Sequence, residues 1–239
     1  MISPARSSQA QQFVDSVLAL KPKLAVFDCD GTLWSGDAGK DFFYWEMDHG
    51  LIAPEVVETM RARYALYEEG GVGEEPMCAE MVTMNAGISC DVLYRAAQEF
   101  FEECVRPRIF HEMMELTSKL NQQSCELWAV SSTNNWVVEY GAEQFGIERA
   151  HVLAACVPIE NGCASGRIVR VPTDELKAVA IREVIGRPAD AVFGNSIHDC
   201  AMLELAKWPF CINPNPDLQK VAEQKGWPVY IPEAMQSTL

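Results

Sequence analysis

The chain has 239 residues, a formal charge of −15, 49% hydrophobic residues and 22% charged ones. That composition excludes disordered and collagen-like chains, and the length suffices to bury roughly 70% of the unfolded surface without disulfide staples. The acidic excess repels phosphate backbones and anionic lipid, so neither nucleic acid nor a membrane surface is an expected partner. Phe13, Val14, Val17 and Leu18 recur at helical spacing over residues 10–20, and Pro22 ends that helix. Leu24-Ala25-Val26-Phe27 is a short apolar run that stops at a polar turn, which predicts a buried strand. Residues 41–47, 54–67, 76–84 and 91–104 are helical in pattern, separated by glycine-containing breaks, and no strand is expected among them.

Strand and helix alternate from there on. Residues 109–120 predict a helix, 126–130 a second buried strand, and 135–144 a helix that ends before Gly146. Residues 151–158 and 166–171, joined by Glu160-Asn161-Gly162, predict a hairpin on the strength of the Asn-Gly turn. A helix over 173–185 with Thr173 as its N-cap follows. Then come a strand at 191–194, a helix at 199–206 and a strand at 210–212. Repeated βα units predict an α/β fold with a mainly parallel sheet and helices on both faces, carrying an all-helical insertion after the first strand.

Nine cysteines at positions 29, 78, 90, 104, 125, 156, 163, 200 and 211 form no CxxC pairs, and several lie in apolar runs. They read as reduced thiols that pack as small hydrophobes. Residues 1–10 are polar and lack the apolar core of a signal peptide. No stretch reaches the roughly 18 apolar residues of a membrane span. A soluble, cytoplasmic protein is expected.

Ligands of open parallel sheets collect at the carboxyl ends of the strands. The polar groups there are Asp28 and Asp30 after the first strand, Ser131 and Ser132 after the second, and Asn195 with Asp199 after the strand at 191–194; Lys177 lies near the start of a helix. Two acids two residues apart in a tight turn can aim a carboxylate and a backbone carbonyl at one cation, and oxygen-only ligation suits Mg²⁺. A lysine and a hydroxyl beside them make a site for a phosphoryl group. Taken singly, each residue has a plainer reading. The two acids could cap a turn, the serines could precede a helix N-terminus, and Lys177 could be a solvated helix residue. Their joint occurrence at strand ends favours the site.

Asp28-Cys29-Asp30-Gly31-Thr32-Leu33-Trp34 resembles the D-x-D-G-T-L motif of the haloacid dehalogenase-like (HAD) phosphohydrolases. Ala129-Val130-Ser131-Ser132, Lys177 within Leu176-Lys177-Ala178, and Gly194-Asn195-Ser196-Ile197-His198-Asp199 are similar to its other three motifs, in order along nearly the whole chain. The tail Asn213-Pro214-Asn215-Pro216 with Gly226-Trp227-Pro228 resembles the phosphoserine-phosphatase-like branch. The resemblance implies a Rossmann-like doubly wound core over 1–35 and 105–239 and a helical cap over 36–104. It also implies Mg²⁺-dependent hydrolysis of a small-molecule phosphomonoester. Asp28 would be the nucleophile that carries an aspartyl-phosphate, Asp30 the acid and base, and Ser131 and Lys177 the phosphate ligands; Asp28, Asp30, Asn195 and Asp199 would hold the metal. Asn195 stands where the family usually has Asp and brings no charge.

Asp37, nine residues after Asp28, stands where phosphoserine phosphatases carry an acid for the substrate amine, whereas Ala79-Glu80-Met81-Val82 offers no cation for a substrate carboxylate. Asp37 and Trp45 are therefore candidate substrate contacts for a phosphomonoester with a neutral or cationic end. Residues 36–104 hold 4 basic and 15 acidic side chains, most of the chain's acidic excess. Two other functions share the same residues: a phosphotransferase or mutase using the same intermediate, and a weakened phosphate-binding protein in which Asn195 has cost the metal.

Overall fold

A computed structural model describes residues 8–236, so most of the polar N-terminal stretch read above (residues 1–7) lies outside the described residues. Helix α1 (Ser8–Ala19) leads into β1 (Leu24–Phe27); helices α2 (Ala38–Asp48), α3 (Pro54–Glu68), α4 (Glu74–Thr83) and α5 (Cys90–Phe100) follow. Next come α6 (His111–Gln122), β2 (Glu126–Asn134), α7 (Asn135–Glu143), β3 (Val152–Ala155), β4 (Ile159–Glu160) and β5 (Cys163–Ala164). The chain continues through α8 (Glu175–Ala180), β6 (Ala191–Gly194), α9 (Cys200–Leu203), β7 (Trp208–Ile212), α10 (Pro216–Lys225), β8 (Val229–Tyr230) and α11 (Glu233–Gln236). Six strands make one sheet in the order β3-β2-β1-β6-β7-β8, every pair parallel. The chain leaves β1 in one direction and returns to its other side at β6, so a topological switch point falls at the end of β1.

The apolar strand runs follow from burial on both faces. Ala25 and Phe27 of β1 join one core cluster while Leu24 and Val26 join the other. On the first face Phe27, Phe193 and Phe210 stack ring on ring across three strands, with centroids 4.4 and 5.0 Å apart. The helical segment between β1 and β2 is divided in the same way. Phe43, Met47, Met60, Tyr64 and Met77 form a cluster of their own, whereas Phe42 and the Leu93–Phe100 face of α5 belong to the main core. Tyr94 also bonds Glu139 of α7 at 2.5 Å. The segment is thus anchored through α5, and α4 lies against the end of β2.

Two expected elements differ. Residues 151–158 and 166–171 meet only in one antiparallel bridge, Cys156 with Arg170, and not as a regular hairpin: β3 is buried and joins the parallel sheet beside β2. The hairpin is the short pair β4 and β5, turning at Asn161-Gly162, both with positive φ. The turn chemistry located the bend, but the 166–171 segment is too exposed to form a core strand, with Val169 60% accessible. The helix expected over 173–185 starts at Glu175 with Asp174, not Thr173, as its N-cap. It widens into a π turn over Ile181–Ile185, and Gly186 then stops it in the left-handed region. The nine cysteines are all free thiols. Among the described residues, no helix is long and apolar enough to cross a membrane.

Phe193 is the middle ring of the stack, and its removal leaves a cavity under the switch point. Phe193→Ala is expected to destabilise the fold by about 3–5 kcal/mol, and Phe193→Leu by clearly less, as read from urea denaturation midpoints.

Candidate active site

A cavity of about 270 Å³ lies between the carboxyl ends of β1, β2 and β6 and the helices α2, α3 and α4. Asp28, Asp30, Ser131, Lys177 and Asn195 line its core side; Asp37, Glu46, Tyr64, Tyr67 and Glu74 line the side of the helical segment. Residues 149 positions apart in the chain meet at its base. Lys177 Nζ donates to Asp28 Oδ1 at 2.7 Å and to Asp199 Oδ1 at 2.5 Å, with Lys177 only 3% accessible and Asp199 fully buried. Thr32 Oγ1 donates to Asp28 Oδ2 at 2.9 Å.

These charges hold one another. Burial, then the Asp199 carboxylate, pushes Asp28 above its usual range, with Lys177 opposing. Burial alone would lower Lys177, but Asp199 and Asp28 outweigh it and hold the ammonium well above its usual range. Lys177 is therefore a charged ammonium between two carboxylates, which is the arrangement that makes buried charge tolerable.

Asp30 is held differently. Trp34 Nε1 and the Ala38 amide donate to its Oδ1, and Thr133 Oγ1 to its Oδ2, all at 2.7 Å. Burial nevertheless keeps Asp30 above its usual range, against those three donors. The Trp34 ring is wedged in the core, edge-on to Phe101 at 5.5 Å. It passes so close to α7 that a Cβ at Gly141 would lie 2.9 Å from it. Neither Trp34 nor Thr133 was singled out from sequence as a partner of Asp30. A donor side chain four residues after the acid was the available sign for Trp34; Thr133 gives none, because the contact spans 103 residues.

A register shift between Ser131 and Asn134 ends the regular pairing of β2, and Ser131, Ser132 and Thr133 line the cavity. Ser131 Oγ accepts from the Thr133 amide at 3.2 Å. Asn134 caps α7 by accepting from Val137 N, a role the serines could have taken. Asn195 packs over the turn of Gly31, which has φ +76° and where a Cβ would lie 1.8 Å from Asn195 Nδ2. Asp199 is set back from the cavity. Its Oδ1 is on Lys177, and its Oδ2 accepts the Asn195 and Ser196 amides at 2.8 and 2.9 Å. It stands behind the lysine and the Asn195 loop with both oxygens engaged. His198 lines the rim, its Nδ1 2.7 Å from Asp174 Oδ1.

Asp37 is the N-cap of α2, accepting from Lys40 N at 2.8 Å, and faces the cavity. It is open to the cavity yet enclosed by protein; this enclosure, then Asp30, raises it to about 6. Trp45, the other expected substrate contact, does not line the cavity. It lies on the outer side of α2, stacked on His49 at 3.9 Å and alongside Phe42 at 6.0 Å. The helical turn between Phe42 and Trp45 gives the two rings one shared face and leaves Phe43 for the cavity. Glu46 is 1% accessible, and its Oε2 has no hydrogen-bond partner; burial pushes its carboxyl far above the ordinary 4.5, although the Asn85 side chain bonds it.

The sequence model of the haloacid dehalogenase-like hydrolase family matches residues 25–204. A histidinol-phosphatase of Neisseria meningitidis is 24% identical over 217 residues, covering 86% of this chain and 97% of its own. A phosphoserine phosphatase of Mycobacterium tuberculosis is 24% identical over 220 residues, covering 86% and 69%. Among solved structures, a Bordetella pertussis protein of unknown function superposes with a TM-score of 0.74 at 23% identity over 86% of this chain and 96% of its own. A substrate-bound phosphoserine phosphatase superposes with a TM-score of 0.56 at 16% identity over 83% and 89%.

Two substitutions test the geometry. Gly31→Ala is expected to cost about 1–3 kcal/mol, and Asn195→Gly in the same chain to recover part of that loss; the coupling is read from urea denaturation of the four proteins. Glu46 is raised, so the folded chain holds a proton that the unfolded chain releases above about pH 4.5. Glu46 therefore withdraws stability as pH rises through that value. Glu46→Gln, which has no such proton, is expected to gain thermal stability relative to the parent as pH rises above about 4.5, with the difference closing at the acid end.

Proposed function

The chain belongs to the haloacid dehalogenase-like hydrolases and is a phosphatase of that family; on that premise we propose that it hydrolyses a small phosphomonoester in two displacements on Asp28. The observation that carries this reading is the unequal treatment of two carboxylates two residues apart. Asp28 is clamped by an ammonium and a hydroxyl, while Asp30 is held by three neutral donors, although burial raises both. A carboxylate fixed beside a cation suits attack, and one held only by neutral donors suits proton transfer.

In the first step an Asp28 carboxylate oxygen attacks phosphorus as the bond to the leaving oxygen breaks, and Asp30 gives that oxygen its proton. In the second step water attacks the aspartyl-phosphate, Asp30 takes the water's proton, and inorganic phosphate leaves with the Asp28 carboxylate restored. Ser131 already accepts from the Thr133 amide, and its own proton serves a phosphoryl oxygen. Lys177 balances the charge shared by Asp28 and the phosphoryl group. Asp199 positions Lys177 and the Asn195 loop rather than touching substrate. Residues 36–104 serve as the cap over a core formed by 1–35 and 105–239.

The donors beside Asp28 fit Mg²⁺ in kind, being all oxygen: the Asp28 carboxylate, the Asp30 main-chain carbonyl and the Asn195 side-chain carbonyl, with Asp199 holding the Asn195 loop. When bound, Mg²⁺ would neutralise charge on the phosphoryl group. Asn195 leaves this set short of one charge, so weak metal binding is expected.

With p-nitrophenyl phosphate and Mg²⁺, Asp28→Asn is expected to lower turnover by at least about 10³-fold. Acid-quenched parent enzyme should carry a phosphoryl group on the peptide containing Asp28. Asn195→Asp should lower the Mg²⁺ concentration needed for half-maximal rate without changing substrate order. Full activity in Asp28→Asn would overturn the reading. Phosphorylated alcohol products in place of free phosphate would turn it towards phosphotransfer.

A further inference from the structure

We propose that Glu46, with Asp37 and Glu74, receives a positively charged amine on the substrate's leaving group, so that the preferred phosphomonoester carries an ammonium and no carboxylate. This rests on the phosphatase reading above and adds the substrate class. Glu46 is the least expected residue of the cavity wall: a carboxyl 1% accessible, with one oxygen unpartnered and no cation against it. An acid so placed is costly unless a ligand supplies the missing partner. Its raised pKa fits that condition, since an arriving ammonium would favour the ionised form and release the proton to solvent.

Two further acids line the same wall. Asp37 spends one oxygen on the Lys40 amide at the start of α2. Glu74, at the start of α4, accepts from the Tyr67 hydroxyl and from the Cys78 thiol. The rings of Phe43, Tyr64 and Tyr67 line the space between them, and such faces attract cations.

The cations nearby are already engaged. Lys40 lines the cavity, but its ammonium is on Glu68 at 2.7 Å and 5.3 Å from the Tyr64 ring centre. Lys177 is enclosed by Asp28 and Asp199. Arg63 is paired in two bonds with Glu80 and is not among the lining residues. Met77, Met81 and Val82 line the cavity as well and offer a carboxylate no cation. A carboxylated leaving group therefore meets acids and thioethers, whereas an ammonium meets carboxylates and rings. The volume of about 270 Å³ sits just below the usual range for ligand pockets, which restricts the amine to a small one.

The test is a steady-state panel of four phosphomonoesters with a two-carbon backbone or one close to it: ethyl phosphate, O-phosphoethanolamine, 2-phosphoglycolate and O-phosphoserine. Phosphate release is measured in Mg²⁺, with p-nitrophenyl phosphate as the control. O-Phosphoethanolamine should exceed ethyl phosphate in kcat/KM by at least about tenfold, with 2-phosphoglycolate the poorest and O-phosphoserine between. Glu46→Gln should shrink the ratio of O-phosphoethanolamine to ethyl phosphate by about tenfold, mainly through KM. Glu74→Gln should move it the same way and serves if the first variant does not fold. A parent ratio at or below one, or O-phosphoserine as the best substrate, overturns the proposal while control turnover leaves the phosphatase reading intact. An unchanged ratio in a folded Glu46→Gln overturns the assignment of Glu46. No turnover of any compound, control included, overturns the phosphatase reading itself.

Discussion

The buried ammonium of Lys177 is the contact on which the site depends, because it brings together two carboxylates that could not otherwise share one interior. Asp28 comes from the end of β1 and Asp199 from the loop after β6, while Lys177 comes from α8. The second oxygen of Asp199 then takes two amides of the loop that carries Asn195, and Asn195 closes over Gly31. One side chain thus ties α8 to the ends of two strands, β1 and β6, in a water-poor place. Removing it would leave two buried carboxylates without a counter-charge, a loss to the fold as well as to the site.

The cavity has two chemical sides. Its core side combines an ammonium, hydroxyls and a pair of acids, a set that can manage the charge of a phosphoryl group. Its other side is acidic and aromatic, and residues 36–104, which include the helices that supply it, hold 15 acidic against 4 basic side chains. Under the proposed reading, phosphoryl group and leaving group would meet opposite electrostatic preferences within one small volume. Specificity of this kind works by rejection as much as by attraction, since an anion placed against Asp37, Glu46 and Glu74 finds no partner.

Much of this was legible in the sequence, for identifiable reasons. The strand Leu24–Phe27 announces itself because alternate residues enter two different cores, leaving no polar position. Asp28, Asp30, Ser131, Lys177 and Asn195 were legible because each stands at a strand end or a helix start, and the fold draws those points together. Trp45 was misplaced because a run of four aromatic residues does not tell which ring a helix turns inward; Phe43 and Glu46 face the cavity instead. The pairing of 151–158 is only partly legible, because a short apolar run suits a hairpin and a parallel strand equally: Val152–Ala155 joins the parallel sheet, and only Cys156 bridges back to Arg170. The donors on Asp30 stayed hidden since Thr133 reaches it only after β2 is laid beside β1.

The indole of Trp34 has a wider consequence. Its N–H orients Asp30, yet its ring is positioned by Phe101 and by the bare backbone of α7 at Gly141. The direction in which the acid points thus depends on close packing in the core as well as on the Thr133 hydroxyl and the Ala38 amide. Close-packed interiors are stiff and transmit small displacements. The site's alignment is in this sense partly a mechanical property of the core, and the bond network at the cavity inherits its tolerance from how well two rings and one glycine fit.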